Sequence, residues 1–555
     1  MKRLIALSKA LARSFSRRER FIIACMILCA GVSGTFVGAR VIRVHTQTIP
    51  TYGGTYTEGV IGQPSFINPI LAPQSDLVTL LFANINDLAE SVTHDDQFKT
   101  WTVRIKENAQ WHDGTPITSD DIIFTIALIQ NADTLSPLFS EWQGIMPTRV
   151  SEREVRFNSA SSYAPFQSLL LSNLRPIPKK LFADIAPANI RLSQYNSEPI
   201  GSGPFKFISL EKRKDAFVTS YTLQSNPAFE KIEKTPYIKT IVIKFFENED
   251  ELIRAYNKGL LDGFGGVDKK TTEKTTISTG IIKTPTTKQY VLFINQNAYA
   301  PLAQTAFRQA LAYATNKKEI IETVYGDAAL EAHGPIPPTL DTYNKAIEEN
   351  DTHNPQQAQT VIEQMGWTKN ANGWFEKKDK SGTQELLVTI KTPDILGLKE
   401  IANAIKVQWE RVGIKTTVVL IDPQNIAEDV IKTRDYQLLL FGSTVATQPE
   451  LFSFWHSSEK FAPGLNLSLY ENSAVDTRLT ALRKSPPDSA QRKQTLNEIQ
   501  QLISHDVPAL FITSPLYIYA HRSSIDGIVM GTIAIPSDRF ASSTYWYLKT
   551  KRVFK

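Results

Sequence analysis

The chain has 555 residues, 42% of them hydrophobic, 10% aromatic and 21% charged. That composition excludes a disordered protein, and the length exceeds what one core fills, so two to four domain-like units are expected. The formal net charge of +5 is uneven: residues 1–20 carry seven Lys and Arg against Glu19, so the tail is +6 and the remainder −1. A body this close to neutrality has no electrostatic footprint for nucleic acid, and none is expected as a partner.

After the basic tail of residues 1–20, Phe21 to Ala39 runs 19 residues without a charge. As a helix this rises roughly 28 Å, close to a bilayer core. The Lys and Arg that precede it predict a cytoplasmic N-terminus and an exported body. A cleavable signal peptide competes. The run exceeds the usual signal core of about 7–15 residues, however, and ends at Arg40 and Arg43 without a small-x-small site. Residues 21–43 are therefore expected to be a single-pass transmembrane anchor. Cys25 and Cys29, the only cysteines, fall inside it, so the body has no disulfide. Neither Ile22-Ile23-Ala24-Cys25 nor Met26-Ile27-Leu28-Cys29 fits the Leu-Ala-Gly-like box that precedes a lipidated cysteine. Residues 44–52, with Thr46, Thr48, Pro50 and Thr51, read as a short tether.

Folded structure is expected from Gly53-Gly54, which opens an alternating strand. Trp101, Val103 and Ile105 alternate with polar residues as a half-buried strand requires. Asp113-Gly114 supplies a turn, and Thr118 with Asp121 reads as an N-cap and its acidic partner ahead of Ile122, Ile126 and Ile129. In Gly201-Ser202-Gly203-Pro204, two glycines bracket one residue before a strand, which predicts a crossing too tight for larger side chains. Residues 241–246 read as strand and 250–258 as a helix closed by Gly259, before Leu261-Asp262-Gly263. Tyr290 to Asn295 is a strand. Residues 307–321 hold two helices, the second capped by Asn316, with Glu319 at its third position and Gly326 as its stop. Residues 386–392 and 414–420 read as strands flanking a helix whose apolar face is Leu398, Ile401, Ile405, Trp409 and Val412. This βαβ unit implies a parallel pair. No internal repeat or low-complexity tract occurs.

Catalytic chemistry is not written in any local pattern. The eight histidines are scattered, with no His-x-x-x-His pair, and no Gly-x-Ser-x-Gly or Walker sequence occurs. His112 beside Asp113 suggests a general base and its orienter. Neighbours on a turning chain point apart, however, and a turn that closes one lobe explains more residues. Neither a catalytic residue, a metal site nor a cofactor is expected.

The stretch Trp111-His112-Asp113-Gly114-Thr115-Pro116-Ile117-Thr118-Ser119-Asp120-Asp121-Ile122 resembles the W-H-D-G-x-P-x-T-A-D-D-V signature of the family 5 extracellular solute-binding proteins, the peptide-binding components of ABC importers. Further similarities follow in family order from about residue 53 to 547. They are Gly53-Gly54 with its strand, Asn68-Pro69, Pro199 to Phe205, Leu261-Asp262-Gly263, Phe307 to Lys317 and Gly334-Pro335-Ile336-Pro337. One departure is that several residues usually present between Asn86 and Leu88-Ala89-Glu90-Ser91 are missing, read as a shortened surface loop.

The resemblance implies an α/β, two-lobed periplasmic-binding-protein-like fold with an inserted subdomain, here preceded by one transmembrane helix. Lobe I is expected from residues 53–87, 200–285 and 510–555, the inserted subdomain from 88–199 and lobe II from 286–509. The function implied is capture of peptides in the interlobe cleft and delivery to ABC permease subunits, by a monomer held at the cell membrane with its body outside the cytoplasm. By resemblance, one ligand wall is Gln74, Ser75 and Asp76. The facing wall is Gly442, Ser443, Thr444, Val445, Thr447 and Gln448, with Glu450 the nearest carboxylate. In oligopeptide-binding relatives an acidic residue on this second wall meets the peptide's amino end. Here either Glu450 or Asp76 supplies the charge, or the ligand has no fixed free amino end. Alternative readings are a binder of a metal chelate, with His456 near the cleft, a ligand-sensing ectodomain and a secreted hydrolase.

Overall fold

The structure is a computed structural model that describes residues 16–231, 234–350, 352–379, 382–487 and 489–554. Two sheets organise the body. The first has seven strands, in the order Thr279–Thr284, Tyr517–Arg522, Gly263–Gly265, Thr55–Ile61, Thr240–Phe246, Val218–Ser225 and Phe205–Lys212. The second has six, in the order Ala329–Glu331, Ala509–Pro515, Lys288–Ile294, Leu438–Thr444, Leu387–Pro393 and Lys415–Ile421. Each is backed by its own apolar clusters.

The chain passes between these sheets twice, each time by continuing one extended run. Strand Thr279–Thr284 of the first sheet leads through Pro285-Thr286-Thr287 into Lys288–Ile294 of the second, and Ala509–Pro515 leads through Leu516 back into Tyr517–Arg522. The crossings are tied together, since the Thr286 hydroxyl donates to the Pro515 carbonyl at 2.6 Å. The sequence reading begins the third part of lobe I at residue 510. The strand to Pro515 instead pairs with Lys288–Ile294, so the crossing lies at Leu516. Pro508 immediately precedes the strand and Pro515 ends it, and proline at either position costs no ladder hydrogen bond.

A four-stranded antiparallel sheet, Ala89–His94, Thr100–Ile105, Glu154–Ser159 and Ile145–Ser151, forms the inserted part. Its core stacks Trp101 on Phe166 at 5.3 Å and sets Trp142 edge-on to Phe166. The segment before it is one capped turn, Ile85–Leu88, where the Asn84 side chain accepts from the Asp87 N–H and Asp87 accepts from the Asn84 N–H. The expected βαβ unit is present: Leu387–Pro393 and Lys415–Ile421 pair in parallel around helix Leu396–Val412, and its five apolar residues are all buried.

The expected tether is a correction. Thr46–Thr51 is a strand, paired antiparallel with the C-terminal strand Lys549–Phe554 from Thr46 opposite Phe554 to Thr51 opposite Lys549. Threonines and Ile49 are β-formers, and the partner strand is distant in sequence, so a local reading had nothing to pair them with. Helix Arg17–His45 leads straight into this ribbon and leaves Phe21, Ile22, Met26, Leu28 and Val32 exposed. Residues 1–15 of the basic tail, and several side chains of this helix including those of 36–45, lie outside the described residues. Among the described residues no helix is long and apolar enough to cross a membrane.

Candidate functional site

The signature stretch turns out to be a weld between the inserted sheet and the first lobe. Helix Ser119–Ile129 begins where the Asp121 carboxylate accepts from the Thr118 N–H at 2.9 Å and the Thr118 hydroxyl at 3.1 Å. The His112 Nδ1 accepts from the Gly201 N–H at 3.2 Å, and its Nε2 faces the Gly203 carbonyl at 3.1 Å, which fixes a neutral ring with the proton on Nε2. Burial pulls its pKa down from 6.5 to about 4. Asp113 does not serve it: that carboxylate pairs with Lys180 and accepts from Thr115. The acid-base reading thus has no geometry behind it. Gly201 and Gly203 are needed because a Cβ would lie 1.9 Å from the Leu81 carbonyl oxygen at the first and 2.6 Å from the Leu81 carbonyl carbon at the second.

Gln74, Ser75 and Asp76 line an open hollow of about 610 Å³, within the range of small-ligand sites. The rest of its lining is mostly apolar: Val60, Ile61, Phe66, Leu77 and Phe245, with Pro64, Pro73, Pro137 and Pro536. Behind it lies a buried ionic cluster. Arg539 donates to both Asp76 oxygens, at 2.8 and 2.6 Å, and its Nε donates to Glu58 at 2.8 Å. Tyr56 and Tyr519 donate to the other Glu58 oxygen at 2.5 and 2.9 Å. Glu58 is fully buried and Arg539 is 3% exposed. Desolvation raises the Glu58 pKa, opposed by Arg539 and by the Tyr56 donor. Gly263 of the Leu261-Asp262-Gly263 run makes room for this cluster, since a Cβ there would sit 2.3 Å from the Tyr56 hydroxyl.

The second wall lies elsewhere. Gly442, Ser443 and Thr444 end strand Leu438–Thr444, opposite Tyr290, Gln289 and Lys288. Val445 is buried, its N–H donating to the Thr287 carbonyl at 3.3 Å. Thr447 is exposed, Gln448 half-buried. Glu450 accepts from Arg483 Nε at 3.0 Å. None of these seven lines the hollow beside Gln74 to Asp76, so the structure keeps the two sets of predicted residues apart. It does bring lobe II against the inserted part, where the Ala164 N–H donates to the Arg483 carbonyl at 2.9 Å and the Arg483 guanidinium stacks 3.9 Å from the Phe452 ring.

Residues that sequence reasoning missed sit beside the second wall. Thr287 Oγ1 and Gln289 Nε2 are buried without a hydrogen-bond partner among the described residues. The Lys288 ammonium lies 4.8 Å over the Tyr290 ring. Unpaired buried polar atoms are costly and rare. The signal was there: Thr287 and Gln289 break the apolar alternation of the following strand. His456 is half-buried, stacked on Phe452 at 4.0 Å, with its Nδ1 at 2.9 Å from the Ser458 hydroxyl, so it caps a short turn rather than facing solvent. Among the described residues no three His, Cys, Asp or Glu side chains group as a metal site.

Two sheet-centred lobes joined, among the described residues, by two strand crossings, with a ligand-sized apolar hollow on one of them, have the architecture of a two-lobed binding protein. The family model described as "Bacterial extracellular solute-binding proteins, family 5 Middle" matches residues 85–462, and the chain belongs to that family. Among curated relatives, it is 25% identical over 500 residues to the oligopeptide-binding protein AppA of Bacillus subtilis, covering 86% of this chain and 89% of that protein. The solved structure of that AppA with a nonapeptide superposes with a TM-score of 0.70 at 23% identity, over 90% of this chain and all of the other. NikZ of Campylobacter jejuni, solved with Ni(L-His), has the same fold at a TM-score of 0.70 and 21% identity, over 89% of this chain and 99% of the other. The family is one of substrate-binding proteins with an extracytoplasmic body.

Proposed function

We propose that this protein captures peptides between lobe I and lobe II and delivers them to the permease subunits of an ABC importer, as a monomer anchored by its N-terminal helix. The observation that carries the reading is the hollow beside Gln74, Ser75 and Asp76, apolar and ligand-sized, on a fold shared with a protein solved holding a nonapeptide. The hinge runs through Pro285 to Thr287 and Leu516. In the closed form, Gly442, Ser443, Thr444, Val445, Thr447, Gln448 and Glu450 form the opposing wall. The 29-residue helix Arg17–His45, about 43 Å long at 1.5 Å per residue, leaves Phe21, Ile22, Met26, Leu28 and Val32 exposed, which supports the anchor.

The charges favour one of the two amino-end readings. Asp76 is held bidentate by Arg539 and Glu450 is held by Arg483. Neither carboxylate is free to neutralise an ammonium group, so the ligand's amino end is not fixed by an ion pair. Backbone groups and the apolar hollow give the affinity. Mass spectrometry of ligands released on denaturing the protein purified from its native membrane tests the class bound. Recovery of short peptides is expected. Recovery of a nickel or other metal chelate instead would move the protein to the non-peptide branch of its fold.

A further inference from the structure

The ribbon of Thr46–Thr51 and Lys549–Phe554 is a two-stranded sheet that, among the described residues, pairs with no other strand. An isolated two-stranded ribbon is marginal in water and needs a surface against it. Its composition indicates which surface. Neither strand contains an acidic residue, and Lys549, Lys551, Arg552 and Phe554 are exposed, Phe554 to 81%. The register is informative as well. Thr46, the first residue after helix Arg17–His45, pairs with Phe554, so Phe554 is brought to the helix end of the ribbon.

From Ala39, the last residue of the uncharged run, to His45 is about 9 Å of helix, close to the thickness of a headgroup layer. Phe554 then falls at the outer edge of that layer. At about 3.3 Å per strand residue, Arg552 lies no more than roughly 7 Å and Lys551 no more than roughly 10 Å from Phe554 along the strand, comparable with the physiological screening length of about 8 Å. Lys549 lies beyond it. Arg40 and Arg43 precede the ribbon in sequence and add to the same charge. Cations within a screening length of an anionic surface bind it, and an aromatic ring beside them seats at the interface.

We propose that this ribbon docks on anionic phospholipid headgroups at the outer face of the membrane, fixing the body's orientation on the bilayer rather than leaving it on a flexible leash. The proposal rests on the reading of the N-terminal helix as an anchor. The docked contact uses Arg552, Lys551 and Phe554; Lys549 contributes least.

The test uses the full chain. Alkaline extraction of its membranes comes first: retention in the membrane supports the anchor, whereas release overturns the anchor and the ribbon docking with it. The retained protein is then placed in nanodiscs of phosphatidylcholine alone or mixed with phosphatidylglycerol, and amide exchange is followed at Thr46–Thr51 and Lys549–Phe554. The expected result is exchange about tenfold slower in the anionic discs, with the difference lost in about 0.5 M salt and in the Lys551→Gln/Arg552→Gln double variant. Equal exchange in the two lipids overturns the docking while leaving the anchor standing. So does protection seen only in native membranes and absent with lipid alone, which would assign the ribbon to a protein partner.

Discussion

Asp76 and Glu450 are the two carboxylates a reader of the sequence would offer to a ligand's amino end, and both are paired with arginine. They differ in what surrounds the pair. The Arg539 partner of Asp76 is buried, shared with Glu58 and backed by two tyrosine hydroxyls, and it ties the C-terminal segment to strand Thr55–Ile61 and helix Asp76–Leu81. The Arg483 partner of Glu450 is 36% exposed and lies between lobe II and the inserted part. One pair holds a lobe together; the other lies where two bodies meet. The two carboxylates are alike, Asp76 15% and Glu450 14% exposed, so the pairs differ in the burial of the arginine, 3% against 36%.

Replacing Arg539 with Met should have the largest effect, because it strands Glu58 and Asp76 without a counter-charge. Removing one partner of a buried pair costs about 3–5 kcal/mol, so chemical denaturation should show a loss of that size. A loss under about 1 kcal/mol, the range of an exposed pair, would erase the contrast drawn above. Next comes His112. Its folded pKa is lowered to about 4 from 6.5, so the unfolded state binds the proton more tightly and stability falls as pH drops through that window. The shift corresponds to about 3 kcal/mol. Thermal unfolding at pH 7 and pH 4 should show this slope, and His112→Gln should flatten it; an unchanged slope in the variant would assign the acid sensitivity to other groups.

Glu450→Gln should cost less than Arg539→Met, because Arg483 is 36% exposed and water can solvate the guanidinium left behind. Its consequence should show in the resting distance between lobe II and the inserted part, read by small-angle scattering. A loss comparable with that of Arg539→Met would make both pairs braces. The smallest effect is expected from the ligand side: N-acetylation of a bound peptide should change affinity by no more than about twofold, against the 2 kcal/mol or more lost when a buried charged pair is broken. A loss of that larger size, abolished in Glu450→Gln or Asp76→Asn, would return the amino-end site to the carboxylate involved.

Sequence reading reached furthest where function and fold share local rules. The Thr118–Asp121 cap, the crossing at Gly201 and Gly203, the Asn316 cap and the buried face of helix Leu396–Val412 were legible because each is set by residues a few positions apart. What His112 does was not, because its partners Gly201 and Gly203 are some ninety residues away. The same holds for Glu58, which reads as an ordinary acidic residue in a strand until Arg539 closes on it from the far end of the chain. The ribbon of Thr46–Thr51 was missed for that reason also. The walls of the candidate site came from family resemblance. The structure places Gln74, Ser75 and Asp76 on an apolar hollow and adds Thr287 and Gln289, two buried polar side chains whose position against the strand alternation was the available cue.

The central claim is capture without reaction, by lobes that close about the crossings at Pro285 to Thr287 and Leu516. The most direct measurement is small-angle scattering of the purified protein with and without a defined peptide mixture, with mass spectrometry of the same samples. The account predicts a smaller radius of gyration on peptide addition and the peptides recovered intact. Unchanged dimensions together with peptide cleavage products would contradict it and put a hydrolase in its place.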